Sequence, residues 1–121
     1  MGNKILVVDD ALFMRKMMSD ILIKAGFEVV GEGSNGQEAL EMYRKFKPDL
    51  VTMDITMPDV NGIQGVKMIV SEFPDAKVIM CSAMGQETMV VESIKSGAKD
   101  FIVKPFQPDK VVQKIKELLD L

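Results

Sequence analysis

Three aspartates, one serine and one lysine stand where phosphoryl chemistry could be built. Ile5-Leu6-Val7-Val8 runs into Asp9-Asp10, and Leu50-Val51-Thr52-Met53 runs into Asp54. Val78-Ile79-Met80-Cys81 stops at Ser82, and Phe101-Ile102-Val103 stops at Lys104-Pro105. Each run is short and apolar without strict alternation, as strands buried on both faces are. In an open parallel sheet, ligands bind beyond the carboxyl ends of the strands. These ends would gather three carboxylates, a hydroxyl and an ammonium at one rim.

Charge decides what such a rim can do. Two carboxylates 4 Å apart repel by about 4 kcal/mol at an effective dielectric near 20. The cluster must therefore raise a carboxyl pKa or recruit a cation. Oxygen donors without histidine or thiolate select Mg²⁺, with Mn²⁺ as a substitute. Three carboxylates against one divalent ion and Lys104 leave a balanced site. A carboxylate in that setting can act as nucleophile toward a phosphoryl group, a transfer that needs mainly positioning and electrostatics. The Ser82 hydroxyl and the Lys104 ammonium could then bind the product oxygens. Taken singly, Asp9-Asp10 could cap a following helix, Ser82 could be a turn residue and Lys104 a solvated lysine. Their coincidence at one rim carries the reading.

The totals narrow the chemistry further. The chain has 121 residues, a length that fits one domain, 1–121, with no output domain expected. It contains no histidine, which excludes a histidine general base, a Ser-His-Asp triad and histidine-ligated zinc. A net charge of −3 with interspersed signs gives no reason to expect nucleic acid or an anionic membrane as partner. No apolar stretch nears the roughly 20 residues of a membrane span, and the first apolar run begins too early for a signal peptide. Cys81 is the one cysteine, so no internal disulfide forms and a reducing cytoplasm suits the chain.

The elements that must position the rim alternate along the chain. Apolar runs lie near 4–8, 27–32, 49–54, 77–82 and 99–103, with helical spacing between them. The first helix, about 11–25, sets Phe13, Met17 and Ile21 at steps of four with Met14, Met18 and Ala25 beside them. Arg15, Lys16, Ser19, Asp20 and Lys24 form its polar side, and Gly26 its C-terminal cap. Helices follow at about 35–46 (capped by Ser34 or Asn35), from beyond Gly62 to about Glu72, at about 86–96 (ended by Gly97), and after Pro108. The last places Val111, Val112, Ile115, Leu118 and Leu119 on one stripe. Five βα units in series predict a doubly wound, flavodoxin-like α/β sandwich around a five-stranded parallel sheet. Met14, Met17 and Met18 read as core packing, and Cys81 as a small buried hydrophobe.

With these motifs placed, the chain resembles a response-regulator receiver domain over essentially its whole length. The carrying segments are Val7-Val8-Asp9-Asp10, Val51-Thr52-Met53-Asp54-Ile55-Thr56-Met57-Pro58 with Gly62 following, Cys81-Ser82-Ala83, and Val103-Lys104-Pro105-Phe106. Asp10-Ala11-Leu12-Phe13-Met14-Arg15 and Ser82-Ala83-Met84-Gly85 are most similar to the stand-alone chemotaxis (CheY-like) regulators. The resemblance implies strand order 2-1-3-4-5 and a cis Lys104–Pro105 bond. It implies Asp54 as phosphoacceptor, and Asp9, Asp10, Asp54 and the Thr56 carbonyl as Mg²⁺ ligands. It also implies Ser82 as switch hydroxyl, Lys104 as phosphate contact and Phe101 as an aromatic switch.

The function implied is a cytoplasmic, monomeric signalling switch rather than a turnover enzyme. A chemotaxis histidine kinase would phosphorylate it, and the flagellar motor switch protein would bind it. The binding face would be the fourth helix, fifth strand and fifth helix, rimmed by Lys95, Lys99 and Lys110. The two positions that tune hydrolysis in the family hold Thr56 and Met84, neither an acid nor an amide. A long-lived phosphoryl form, cleared by a dedicated phosphatase, is the resulting expectation. Alternatives are a phosphorelay intermediate or non-motor regulator, a haloacid-dehalogenase-type phosphatase and a flavodoxin-like cofactor binder. The second acid of the Asp-x-Asp phosphatase pattern is replaced by Thr56, and no phosphate-cradling loop follows the first strand.

Overall fold

A computed structural model describes residues 3–121. Five strands alternate with five helices: β1 (Lys4–Val8), α1 (Leu12–Lys24), β2 (Glu28–Gly33), α2 (Gly36–Phe46), β3 (Leu50–Asp54), α3 (Gly62–Glu72), β4 (Val78–Ser82), α4 (Glu87–Lys95), β5 (Asp100–Val103) and α5 (Pro108–Leu118). All strand pairs are parallel, in the order 2-1-3-4-5 implied by the resemblance. Among the described residues, no helix is long and apolar enough to cross a membrane.

Successive residues of a strand point to opposite faces, and here this divides the core in two. Leu6, Val8, Val51, Met53, Val78 and Met80 pack with Leu40 and Tyr43 of α2 and with Ile63, Val66 and Ile69 of α3. Met89 and Val90 of α4 join this side. Ile5, Val7, Leu50, Ile79, Cys81 and Ile102 pack instead with Met18 and Leu22 of α1 and with Val111 and Ile115 of α5. Burial pushes the Cys81 thiol up to about 12, so it is an inert apolar filler.

The helix ends follow from local chemistry. Gly26 takes φ +93°, and the amides of Gly26 and Phe27 return to the carbonyls of Ile23 and Leu22, closing α1. Of the two candidate caps of α2, Asn35 accepts from Glu38 N–H at 2.9 Å. Ser34 instead donates its amide and hydroxyl to the Glu38 carboxylate, holding that acid below the usual range. Asn61 and Gln64 cap α3 reciprocally, each side chain accepting from the other's backbone amide.

One expectation for α1 fails. Phe13 is 71% exposed and Leu12 56%, whereas Met18 and Leu22 are buried and Ser19, assigned to the polar side, is 8% exposed. Apolar residues occupy so much of this helix's circumference that spacing alone does not choose the buried row. The sheet takes the row of Met18 and Leu22. Met17 and Ile21 line a groove against Phe106 and Val112 near α5, and Phe13 projects to solvent.

Candidate functional site

The rim forms because β1 and β3 are neighbours in the sheet. Val8 is level with Met53, so Asp9 and Asp54 leave adjacent strands side by side. By alternation, Asp9 follows Val7 and Ile5, and Asp54 follows Thr52 and Leu50, onto the α1/α5 side. Asp9, Asp10 and Asp54 each offer a carboxylate oxygen, and these oxygens lie within 4.8 Å of one another. Asp9 and Asp54 are buried and Asp10 is exposed. Three hard oxygen donors with one open side suit a divalent ion that retains water.

Lys104 arrives from beyond β5. Its ammonium donates to Asp9 Oδ2 at 3.0 Å and to Asp54 Oδ1 at 3.2 Å. Its own backbone amide bonds the Ser82 carbonyl at 2.7 Å, and the following peptide bond to Pro105 is cis. Asp9 serves two ends at once: its Oδ1 accepts from Ala11 N–H at 2.9 Å, while Oδ2 takes Lys104. The bond to Ala11 shapes the turn before α1 without capping it, because Ala11 is itself the N-cap residue and α1 has no side-chain cap. Arg15 secures the same turn, donating to the Asp9 carbonyl at 2.7 Å and to the Glu32 carboxylate at 3.1 Å.

The electrostatics follow from this crowding. Burial, then the charge of Asp9, pushes the Asp54 carboxyl up to about 6, and the nearby Lys104 ammonium only partly opposes them. For Lys104, burial works against its charge, yet Asp54 and Asp9 together outweigh burial and raise its pKa. The protein's own groups therefore set one cation, Lys104, against three clustered carboxyl groups.

Ser82 and Phe101 are not part of this contact. Ser82 is buried at the end of β4 and, following Met80, belongs by alternation to the α3/α4 side. Among the described residues its hydroxyl makes no hydrogen bond to the aspartates or to Lys104. Phe101 is half-buried against the same side of the core, level with Met80. Lys114 holds it, with Nζ 4.5 Å from the ring centroid and 2.6 Å from the Phe101 carbonyl. Thr56 is exposed, and its hydroxyl accepts from Gln86 Nε2 at 2.9 Å. Arg15 and Gln86 are the two site neighbours that sequence reading passed over. Arg15 stood out only as a polar helix residue closing the Asp10–Arg15 segment, and Gln86 stands 30 residues from the partner it reaches.

The comparisons agree with the geometry. The family model described as "Response regulator receiver domain" matches residues 5–116. A chemotaxis protein CheY of Thermotoga maritima is 60% identical over 118 residues, covering 98% of each chain. A Bacillus subtilis protein named CcdB is 50% identical over 117 residues, covering 97% of this chain and 98% of its own. Among solved structures, a CheX–CheY–BeF₃–Mg²⁺ complex from Borrelia burgdorferi superposes with a TM-score of 0.92 at 37% identity, covering 97% of this chain and 89% of the other. The chain belongs to the response regulator receiver domain family.

Proposed function

We propose that this protein is a cytoplasmic, phosphorylation-activated switch of a two-component system, a single receiver domain over 1–121. It accepts a phosphoryl group from a chemotaxis histidine kinase onto Asp54 and then binds the flagellar motor switch protein. The observation that carries the reading is the Lys104 ammonium lying within 3.2 Å of two of three clustered aspartates at the strand ends. The whole-length likeness to CheY supports the chemotaxis setting.

In this reading Asp54 Oδ attacks phosphorus. The new P–O bond forms as the P–N bond to the donor imidazole breaks, and the imidazole nitrogen keeps the electron pair and takes a proton. Lys104 offsets the repulsion between carboxylate and donor; Asp9, Asp10, Asp54 and the Thr56 carbonyl would hold a Mg²⁺ ion, which would supply further positive charge there. Ser82 then turns its hydroxyl toward the phosphoryl oxygens, and Phe101 repacks on the same side of the sheet. The protein records one group and turns over no external substrate.

Incubation with acetyl phosphate and Mg²⁺, followed by intact-mass measurement, tests the assignment. The parent should gain one phosphoryl group and Asp54→Asn none. No gain in the parent, or an equal gain in the variant, would overturn it. The likeness to CcdB supports a second reading, the same switch addressed to a target other than the motor. Capture of partners by the phosphorylated protein separates the two.

A further inference from the structure

Gln86 stands one residue before α4, and its side chain makes no capping bond to that helix. A residue at this position ordinarily offers a side-chain oxygen to the first free amides. Gln86 reaches backward instead. Its Oε1 accepts from Ala83 N–H at 2.7 Å, and its Nε2 donates to the Thr56 hydroxyl at 2.9 Å. One carboxamide thus ties the loop after β4 to the loop after β3. Gly85, at φ +88°, provides the reversal that aims it there, a conformation side chains disfavour.

Both groups it engages border the phosphoacceptor. Asp54 is level with Cys81 in the sheet, so Ala83 N–H is the backbone donor just beyond Ser82 at the same rim. An aspartyl phosphate places acceptor oxygens and negative charge there. A backbone amide bonds an anionic oxygen roughly twice as strongly as a neutral one. The phosphoryl group therefore outcompetes the carboxamide for Ala83 N–H. Once Oε1 has lost that partner, the tie to Thr56 has no second anchor.

We propose that Gln86 is a resting-state latch, its carboxamide bridging Ala83 N–H and the Thr56 hydroxyl across the mouth of the site until a phosphoryl group on Asp54 displaces it. The latch rests on Asp54 being the phosphoacceptor. It gives the loop carrying Ser82 a defined resting position, with release coupled to the charge that arrives. Gln86 is a positioning residue, since it acts through Ala83 and Thr56.

Beryllofluoride with Mg²⁺ serves as the phosphoryl mimic, titrated by calorimetry into the parent, Gln86→Ala and Thr56→Val. Two hydrogen bonds present only in the resting state, both exposed and so at the low end of the usual net contribution, correspond to a roughly five- to tenfold effect. Gln86→Ala should therefore bind beryllofluoride about five- to tenfold more tightly. In the unliganded variant the Ala83 amide should exchange its hydrogen faster, and Mg²⁺ alone should bind with parental affinity. Thr56→Val, which cuts one arm, should fall between parent and Gln86→Ala. Unchanged or weaker beryllofluoride affinity in Gln86→Ala overturns the latch, as does a parallel change in Mg²⁺ affinity. Should Gln86→Ala fail to fold, unchanged or weaker affinity in Thr56→Val overturns it instead. A parent that does not bind beryllofluoride defeats the phosphoacceptor reading and the latch with it. That result is distinct from a parent that binds and a variant that binds no tighter.

Discussion

In the proposed function Asp54 is both a buried acid and an available nucleophile, and its neighbours set the terms. Burial and the Asp9 charge push its pKa up to about 6 from an ordinary 3.8 in the metal-free protein. The folded state therefore holds the proton more tightly than the unfolded chain does. That contribution to stability is complete below about pH 4 and is lost as pH rises through 6. Thermal melting of metal-free protein across pH 4–7 should show this fall in the parent, and Asp54→Asn should lack it. A bound cation favours the carboxylate, so adding Mg²⁺ should move the fall to lower pH. Matching profiles for parent and variant would place the proton elsewhere. The elevated pKa also bears on reactivity, because the protonated acid cannot attack phosphorus. Phosphorylation by a small donor should weaken below pH 6, less steeply as Mg²⁺ increases.

The β3–α3 connection owes its shape to a contact between elements. Gly62, the first residue of α3, donates its amide to the Ile55 carbonyl at 2.8 Å, and a Cβ there would collide with the Asp54 carbonyl. Only glycine lets α3 start against the end of β3, and that start fixes the path of the loop through Thr56. Gly62→Ala should cost about 1–3 kcal/mol, the usual range for overpacking. Denaturant melts would read that loss, and Mg²⁺ affinity should fall in the folded fraction. A variant with parental stability and metal affinity would mean that the loop has slack. Elements were the most legible level of the sequence. Apolar runs bounded by Gly26, Gly62, Gly97 and Pro108 located all five βα units, because those signals act over a few residues. The cluster of Asp9, Asp54 and Lys104 was legible for a similar reason, since each terminates a run, whereas the side of the sheet that Ser82 takes was not. What sequence could not supply was rotation and reach. The turn of α1 about its axis, which exposes Phe13 and buries Ser19, depends on what the sheet and α5 leave open. The Gln86 bridge depends on two loops meeting, and no local spacing encodes that.

Across the whole molecule, the residues proposed for chemistry and those proposed for readout follow different sides of one sheet. Asp9, Asp54 and Lys104 follow the residues that pack on α1 and α5, while Ser82 and Phe101 follow those that pack on α3 and α4. In the proposed switch the phosphoryl group must draw Ser82 across, and Phe101, level with Met80 beside it, repacks in response. A hundredfold rise in partner affinity on phosphorylation would be a coupling of about 2.7 kcal/mol. Phe101→Ala should still take the phosphoryl group but reduce that rise to roughly tenfold or less, about half the coupling. Calorimetry against the motor switch protein, with and without beryllofluoride, checks this, and an undiminished rise removes Phe101 from the relay. The ion pair between Lys104 and Asp9 joins positions 95 residues apart, one after the first strand and one after the last. A copy still emerging from the ribosome, or one that has lost its final strand, carries the acids without their counter-ion. In the proposed switch, therefore, the acids gain their counter-ion only once β5 has taken its place at the edge of the sheet.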